Sequence, residues 1–421
     1  MEHRYIEKLD LHVYTETLDN GLEIYLCPMP FNEITAQMTV RFGGSVLEFE
    51  NEGKIVKVPA GVAHFLEHKM FEKPGLSPLQ IYENNGASAN AFTSYDMTAY
   101  YFEGPTHFLD NLQTLLDCVH KPYFTKENIQ KEKGIISQEK KASMDEIPEI
   151  IFEKAAADIF KNSYYKNSVL GSLDDINNMT KEEIEVCYKT FYHPSNMFLT
   201  ITGGIDVDET IKFIKDYYKN FNISKKEKPV TIGKEEPEEV VKANDVIYKD
   251  TTNKEILISY KIKNPNFFKN EKLNDIYIGL FADMNFSEIT DFPDITFNDN
   301  NILSDVSSYY YKAGDYYIIN AEVTVKEDEN KIIDLIDKQI KSKEFSERNF
   351  NLIKKVLLNY LVISSERVVG VKGRIVNDIF KYGKIDYNPH ETYQNLDFET
   401  FKKFANKLNL ENRNITIVKS K

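Results

Sequence analysis

Alternating apolar and polar positions mark the first strands of the chain, and helical periodicity follows them. Residues 22–26 and 34–42 have the apolar, β-branched character of strands, and Asn20 and Gly21 form a turn signal before the first. Apolar positions at helical spacing follow near 106–119, 126–144, 148–162, 181–191 and 207–221. Thr180 and Glu183 have capping-box spacing at the start of one of these helices. The pattern predicts an α+β protein.

The second half of the chain repeats the order of elements of the first. Residues 346–360 parallel the helix that begins at Thr125, and residues 398–408 with 414–418 parallel the helix and strand of 180–202. Between the halves, residues 223–240 are charged, carry prolines and lack an apolar period, which is typical of a surface linker. We therefore predict two homologous domains, 1–222 and 241–421, that arose by internal duplication and are joined by a linker at 223–240.

Composition narrows the class of protein. The chain has 421 residues and a net charge of −14, from 52 basic and 66 acidic residues, without a dense Lys/Arg block, so nucleic-acid binding is not expected. The acidic surface could favour basic peptides or be an ordinary solvated exterior. The cysteines, Cys27, Cys118 and Cys187, lack the spacing of a disulfide framework or a thiolate metal site. No signal peptide or membrane span is evident, and we expect a cytoplasmic protein.

The sequence His64-Phe65-Leu66-Glu67-His68 carries the clearest candidate chemistry. Two imidazoles four residues apart on a helix project from one face and can bind one metal ion. Glu67 lies where a carboxylate can reach a water at the metal, and we expect it to act as a general base.

A catalytic zinc ion needs a third protein ligand and one open position. Glu132 and Glu139, two helical turns apart on the helix that begins at Thr125, share a face. Either acid could complete the metal site, and the other could then support a ligand.

The chain resembles the pitrilysin, insulin-degrading enzyme and mitochondrial processing peptidase family of zinc peptidases, the inverzincins. The resemblance includes 64–68, 86–93 with 98–101, 132–139 and 192–197. It implies that His64, His68 and Glu139 bind one zinc ion per chain, that Glu67 is the catalytic base and that Glu132 is a supporting second acid. Opposite Glu132 and Glu139, the second half has Ile353 and Tyr360, so only the first copy would be active.

The resemblance also implies an architecture and partners. Each half would be an antiparallel sheet covered by helices, and the large family members join four such units into a closed chamber. The chain is most similar to the short bacterial members that work as paired subunits. We expect a homodimer, or a heterodimer with a related subunit that lacks the zinc motif, enclosing a peptide substrate.

The small residues of 87–91 are the candidate substrate strand. In the family this segment pairs with the substrate beside the zinc, and small side chains allow the close backbone approach that such pairing requires. We therefore expect Ala89, Asn90 and Ala91 to contact substrate, with the Asn90 amide near the scissile bond. The alternative is that these small residues only allow tight packing between helix and sheet.

The second half departs from the family pattern. Active relatives usually carry an Arg and, seven residues later, a Tyr that bind the substrate carbonyl. The matching region is 301–311, where Tyr309 and Tyr310 are candidate substrate contacts, although a tyrosine there could simply pack in the core. No arginine lies seven residues before this tyrosine cluster. A related partner subunit that supplies the pair would restore the missing contacts.

The expected activity is zinc-dependent internal cleavage of unstructured peptides within a chamber between subunits, for maturation or degradation. The alternative is a non-catalytic assembly or core subunit of the same family. The remaining histidines lack a second ligand at helical spacing and are expected to be structural: His3, His12, His107, His120, His193 and His390.

Overall fold

The computed structural model describes residues 1–221, 223–297 and 301–421. The last residue of the predicted first domain, 222, therefore lies outside the described residues. The strands are β1 (Glu2–Ile6), β2 (Leu11–Thr17), β3 (Glu23–Pro28), β4 (Ile34–Val40), β5 (Glu48–Asn51), β6 (Lys54–Lys57), β7 (Ser88–Thr93), β8 (Thr98–Gly104), β9 (Met197–Gly203), β10 (Asn244–Tyr248), β11 (Lys254–Lys263), β12 (Ser307–Ala313), β13 (Tyr316–Val325) and β14 (Arg413–Lys419).

Helices cover much of the chain between these strands. They are α1 (Val62–Met70), α2 (Pro78–Asn84), α3 (Phe108–His120), α4 (Lys126–Ser143), α5 (Ile147–Ile159), α6 (Leu173–Asn178), α7 (Lys181–Phe191), α8 (Val207–Lys219), α9 (Glu271–Phe286), α10 (Phe292–Phe297), α11 (Glu329–Ser342), α12 (Glu347–Ser365), α13 (Val368–Tyr382), α14 (Pro389–Gln394) and α15 (Phe398–Lys407). The five helices predicted between residues 106 and 221 are confirmed as α3, α4, α5, α7 and α8, with ends shifted by a few residues, and the capping box at Thr180 is present.

Two larger sheets share one strand order, which supports the predicted duplication. The first runs β1-β2-β3-β9-β4-β8-β7, and the second runs β10-β14-β11-β13-β12. Without the β1-β2 hairpin, each strand of the first sheet has a counterpart in the second, and corresponding neighbours have the same relative direction. A separate pair, β5-β6, completes the described sheets.

The expectation of antiparallel sheets needs one correction. In each sheet one pair is parallel: β3 with β9 and β10 with β14. In both cases the last strand of a copy returns beside its first strand after a long helical connection, and such a connection is what allows two strands to run in the same direction. The other named pairs are antiparallel.

Spatial grouping divides the chain into two compact units that exchange one helix each. The first unit contains residues 1–141, 167–233 and 361–389, and the second contains 142–166, 234–360 and 390–421. Helix α5, from the first half, thus packs in the second unit, where Ile151 and Ile159 join a core with Leu257. Helix α13, from the second half of the sequence, packs in the first unit. The predicted domains, 1–222 and 241–421, describe the two copies along the sequence and remain a prediction.

The segment 223–240 contains no helix or named strand and forms one isolated bridge, from Thr231 to Phe49. Within the described residues, no helix combines the length and apolarity needed to cross a bilayer.

Candidate metal centre

A close contact between two glycine segments fixes the start of helix α1. Gly61 precedes the helix with φ +87°, and an added Cβ there would lie 2.3 Å from the carbonyl oxygen of Leu170. Gly171 makes the reciprocal contact: its φ is +78°, and a Cβ added to Gly171 would lie 2.5 Å from the carbonyl oxygen of Ala60. Only glycine accepts both the left-handed backbone and the contact without strain. The direction in which α1 enters the site therefore depends on these two residues.

His64 and His68 lie on one face of α1, as the sequence predicts. Their ring centroids are 4.5 Å apart. His64 is buried and His68 partly exposed, because the apolar side of the helix, Val62, Phe65 and Leu66, packs into the core. The pair is thus held at the border between core and solvent.

Helix α4 brings the two acids to this pair. Thr125 caps the helix by accepting the Asn128 amide hydrogen at 3.1 Å, and the Asn128 side chain accepts from the Thr125 amide at 2.9 Å. Glu132 is buried, whereas the Glu139 side chain is 44% exposed. The two acids share a face but lie in different environments.

Glu139 is the acid that converges with the imidazole nitrogens. Its Oε1 lies 3.6 Å from His64 Nε2, and its Oε2 lies 3.5 Å from His68 Nε2. These separations approach the ligand–ligand edge of about 3.4 Å in a tetrahedron with zinc–ligand distances of about 2.1 Å. Among the described residues, His64, His68 and Glu139 form the one group of three or more His, Cys, Asp or Glu side chains that could hold a metal ion. Two imidazoles, one carboxylate and an open side fit a catalytic zinc ion.

Glu132 contacts a ligand instead of the metal position. Its Oε1 lies 3.0 Å from His68 Nδ1. A carboxylate that accepts the Nδ1 proton fixes the tautomer in which Nε2 is free to bind metal. Burial raises the pKa of Glu132, but the hydrogen bond and charge of His68, with the charge of Lys69, outweigh it and hold that pKa below its usual value.

The pKa values of the two histidines are shifted in opposite directions. Burial, with the nearby His68, lowers the pKa of His64 to about 3, so at neutral pH His64 is in the neutral form that ligates metals. Burial also lowers the pKa of His68, but the hydrogen bond and charge of Glu132 outweigh it and raise that pKa overall.

Glu67 lies beside this group and is bonded to the end of β7. Thr93 Oγ1 donates to Glu67 Oε2 at 2.7 Å. Burial raises the pKa of Glu67, and the hydrogen bond from Thr93 opposes that increase. A carboxylate with a raised pKa is suited to accept and release a proton near neutral pH.

Strand β7, which carries Ala89, Asn90 and Ala91, is one of the two edge strands of the first sheet: β8 is its one neighbour, and β1 forms the other edge. Alternation along the strand puts Ala89 and Ala91 on the same face as Thr93, which contacts Glu67. Asn90 is exposed, and its Oδ1 accepts the Ala91 amide hydrogen at 2.8 Å. These residues are accessible to a peptide, and their contact with substrate remains a prediction.

Tyr309 and Tyr310 lie on β12, the corresponding open edge of the second sheet. Tyr309 is 36% exposed. Tyr310 packs against the core of the second unit and would meet a Cβ added at Gly279 at 3.1 Å. Successive residues of a strand face opposite sides, so the two tyrosines do not form one surface. Their role in substrate binding remains a prediction.

Sequence reasoning missed two contacts at this site. The first is the bond from Thr93 to Glu67; Thr93 falls within a family-like motif but carries no feature that reveals its partner. The second is Lys69, whose side chain is fully buried near Glu132. A signal for Lys69 exists: it lies three and four residues after Leu66 and Phe65, on the apolar side of α1, where a charged residue is unexpected.

Comparison with known proteins shows which family the chain is similar to. Residues 56–173 match the family model Insulinase (Peptidase family M16), and residues 178–291 match Peptidase M16 inactive domain. The chain is 36% identical over 269 residues to an uncharacterized zinc protease, YmfH, of Bacillus subtilis (strain 168). This alignment covers 62% of this chain and 61% of YmfH. The chain is also 31% identical over 165 residues to the mitochondrial-processing peptidase subunit beta of Caenorhabditis elegans. That alignment covers 38% of this chain and 36% of the subunit.

Both sequence matches thus cover less than two thirds of the relative's length. The likeness of fold extends further. A crystal structure of an M16-like peptidase from Alicyclobacillus acidocaldarius superposes with a TM-score of 0.90 at 24% identity, over 98% of this chain and 99% of that one. All five predicted metal and acid–base residues lie within the first family match, 56–173.

Proposed function

Because the chain belongs to the insulinase-like peptidase family M16 and contains both its N-terminal and its C-terminal domain, we propose that it is a zinc-dependent endopeptidase for unstructured peptides. One observation carries the proposal: Glu139 lies 3.5 to 3.6 Å from the Nε2 atoms of His68 and His64, with Glu67 beside them. A non-catalytic subunit would not need to keep three ligands and a base together.

In this proposal, His64, His68 and Glu139 hold one zinc ion. When bound, zinc supplies Lewis-acid chemistry that polarises the scissile carbonyl and acidifies the attacking water. Glu67 accepts the proton of that water and delivers it to the leaving amine, and Thr93 orients the Glu67 carboxylate for both transfers. Glu132 keeps His68 in the tautomer that presents Nε2.

The substrate is an extended peptide that pairs with the open edge of β7. The small side chains of Ala89 and Ala91 leave room for its backbone next to Glu67. Because Asn90 Oδ1 accepts the Ala91 amide hydrogen, pairing at this position requires the Asn90 side chain to rotate away. Its own amide is then free to donate to a peptide carbonyl.

A partner subunit completes the proposed enzyme. No arginine lies seven residues before Tyr309, Tyr310 or Tyr311, and loss of one oxyanion donor typically lowers kcat on the order of 10² to 10³. A second chain, either a copy or a related subunit without the zinc motif, would close the chamber. Only a related subunit that keeps the Arg and Tyr pair would also supply this contact, because a copy has the same sequence. A cytoplasmic location is part of the proposal, supported by three free, buried cysteines.

The deciding experiment is cleavage of an unstructured peptide mixture by the zinc-loaded chain, followed by mass spectrometry. We expect internal cleavage that is weak with the chain alone and stronger with the partner subunit. It should be lost in Glu67→Gln, whereas Glu83→Gln, a carboxylate change on α2, keeps it. Both variants should retain the zinc content of the wild type. Cleavage that survives Glu67→Gln would refute the assigned base.

The alternative function, a non-catalytic assembly subunit, predicts a different result. Such a chain would show no cleavage either alone or with a related partner subunit, even with zinc bound. Zinc binding without cleavage by the isolated chain, followed by activity when the partner is added, would support the two-subunit enzyme. Light scattering that shows an active monomer would contradict the need for a partner.

A further inference from the structure

Lys69 is a buried cation immediately after the proposed ligand His68. Its side chain is fully buried, and Nζ contacts the Glu72 carboxylate and lies 3.4 Å from the Asn128 carbonyl oxygen. Glu132 Oε2 is 3.8 Å away. Burying an ammonium group costs free energy unless charged or polar partners compensate, so this position needs a reason beyond packing.

The two oxygens of Glu132 have separate neighbours. Oε1 lies 3.0 Å from His68 Nδ1, and Oε2 faces Lys69. Rotation of the carboxylate away from His68 would therefore also separate it from the buried ammonium group. A continuous series of contacts runs from Lys69 through Glu132 to His68, and the opposite nitrogen of His68 faces Glu139.

We propose that Lys69 is a positioning residue of the metal centre: it holds Glu132 in the orientation that directs His68 Nε2 toward the metal. The proposal rests on the proposed zinc site and assigns a role to a residue outside the ligand set. Lys69 itself touches neither metal nor substrate. Partners of a ligand typically change metal affinity by about 10 to 100-fold when they are removed.

The test measures zinc affinity by competition with a chromophoric chelator, together with the absorption spectrum of the Co²⁺-substituted protein. Lys69→Met keeps the length of the side chain and removes the charge. We expect its zinc affinity to fall at least tenfold and its Co²⁺ spectrum to change. The matched control is Lys73→Met: Lys73 bonds to the carbonyl oxygens of Cys118 and Lys121, and we expect unchanged zinc affinity even if the melting temperature falls.

A double variant separates positioning from general destabilisation. If Lys69 acts through Glu132, then Lys69→Met adds no further loss in the background of Glu132→Gln. The double variant also removes the uncompensated buried carboxylate, so it gives a folded protein for comparison if Lys69→Met alone does not fold. Equal affinities of the double variant and Glu132→Gln support the proposal. A further loss in the double variant, or an unchanged affinity in a folded Lys69→Met, would overturn it.

A separate variant tests the underlying site. His68→Ala should remove high-affinity zinc binding. If it does not, the proposed metal centre itself is wrong. If it does and Lys69→Met has no effect, only the positioning role fails.

Discussion

Within the described residues, the side chain that hydrogen-bonds to Glu67, the proposed base, is the hydroxyl of Thr93. Replacement with valine keeps the shape and removes the donor at 2.7 Å from Glu67 Oε2. A hydrogen bond to a charged group contributes about 1.5 to 3 kcal/mol, so Thr93→Val should lower kcat by roughly 10 to 100-fold. Zinc content and KM should change little. Steady-state kinetics on a fluorogenic peptide would measure both constants.

The control for this variant is Thr98→Val, on the neighbouring strand. Thr98 is paired with Thr93 in register, and the two hydroxyl oxygens are 3.5 Å apart. The Thr98 hydroxyl donates to the Phe42 carbonyl oxygen at 2.9 Å and not to Glu67. It should lower stability more than catalysis. Equal kcat losses in the two variants would mean that Thr93 acts through the sheet and not through Glu67.

Asp283 gives the second unit a specific pH dependence. Burial raises its pKa from 3.8 to about 6. Between about pH 4 and pH 6 the folded chain therefore binds more protons than the unfolded chain, and stability falls as the pH rises through this window. Above pH 6 the cost is at most about 3 kcal/mol.

Asp283→Asn removes the charge and should raise the melting temperature at pH 7.5. The advantage over wild type should shrink as the pH falls from 6 to 4, because the wild-type carboxyl then becomes protonated in the folded state and its buried charge is lost. Calorimetry at several pH values, with the exposed Asp305→Asn as control, measures the difference. A melting-temperature difference that does not depend on pH would contradict a burial-raised pKa.

At the scale of single residues, the sequence alone predicts the roles of those site residues that helical spacing brings together. His64, His68 and Glu67 share one turn and a half of one helix, and that local geometry is determined by the backbone period. The choice between Glu132 and Glu139 required the placement of α4 against α1. Neither Thr93 nor Lys69 could be assigned a partner from spacing, because their contacts join segments 26 and 63 residues apart.

At the scale of elements, the open edge of β7 should control substrate binding. A phenylalanine at Ala89 would fill the face of β7 on which Thr93 lies, leaving the proposed zinc ligands on α1 and α4 unchanged. We expect Ala89→Phe to raise KM at least tenfold or to abolish cleavage, with normal zinc content. Ser88→Phe, the same change on the opposite face, should have a much smaller effect. If both variants cleave like wild type, the peptide does not pair with this strand.

Helices were predictable from the sequence, and so was their repetition in the second half. The parallel pairs in each sheet were not, because the position of β9 and β14 beside the first strand of each copy depends on long helical connections. The β1-β2 hairpin also lay outside the prediction. Its strands place alternating apolar residues, Leu11 and Val13, against the core through pairing with β3, a contact that local pattern does not specify.

At the scale of the whole molecule, duplication and helix exchange act together. Two copies with the same strand order each contribute one helix to the other unit, so neither half of the sequence contains a complete unit. The predicted linker at 223–240 is thus a boundary between the two sequence copies, but cutting the chain there would not separate the two units. This feature could not be read from the sequence because α5 and α13 both have the apolar faces that any covering helix requires.

The exchange predicts that residues 1–233 do not fold stably alone. Such a fragment lacks α13, whose Val368, Val371, Ile375 and Ile379 are each at most 2% exposed in the core of the first unit. Burying four such side chains contributes about 6 to 12 kcal/mol, comparable with the whole stability of a domain, about 5 to 15 kcal/mol. Adding a peptide of residues 361–389 should restore a cooperative thermal transition and zinc binding, whereas the peptide with Ile375→Asp should not. A cooperative transition in the fragment alone would show that the first unit, which contains the candidate metal centre, does not need α13 to fold.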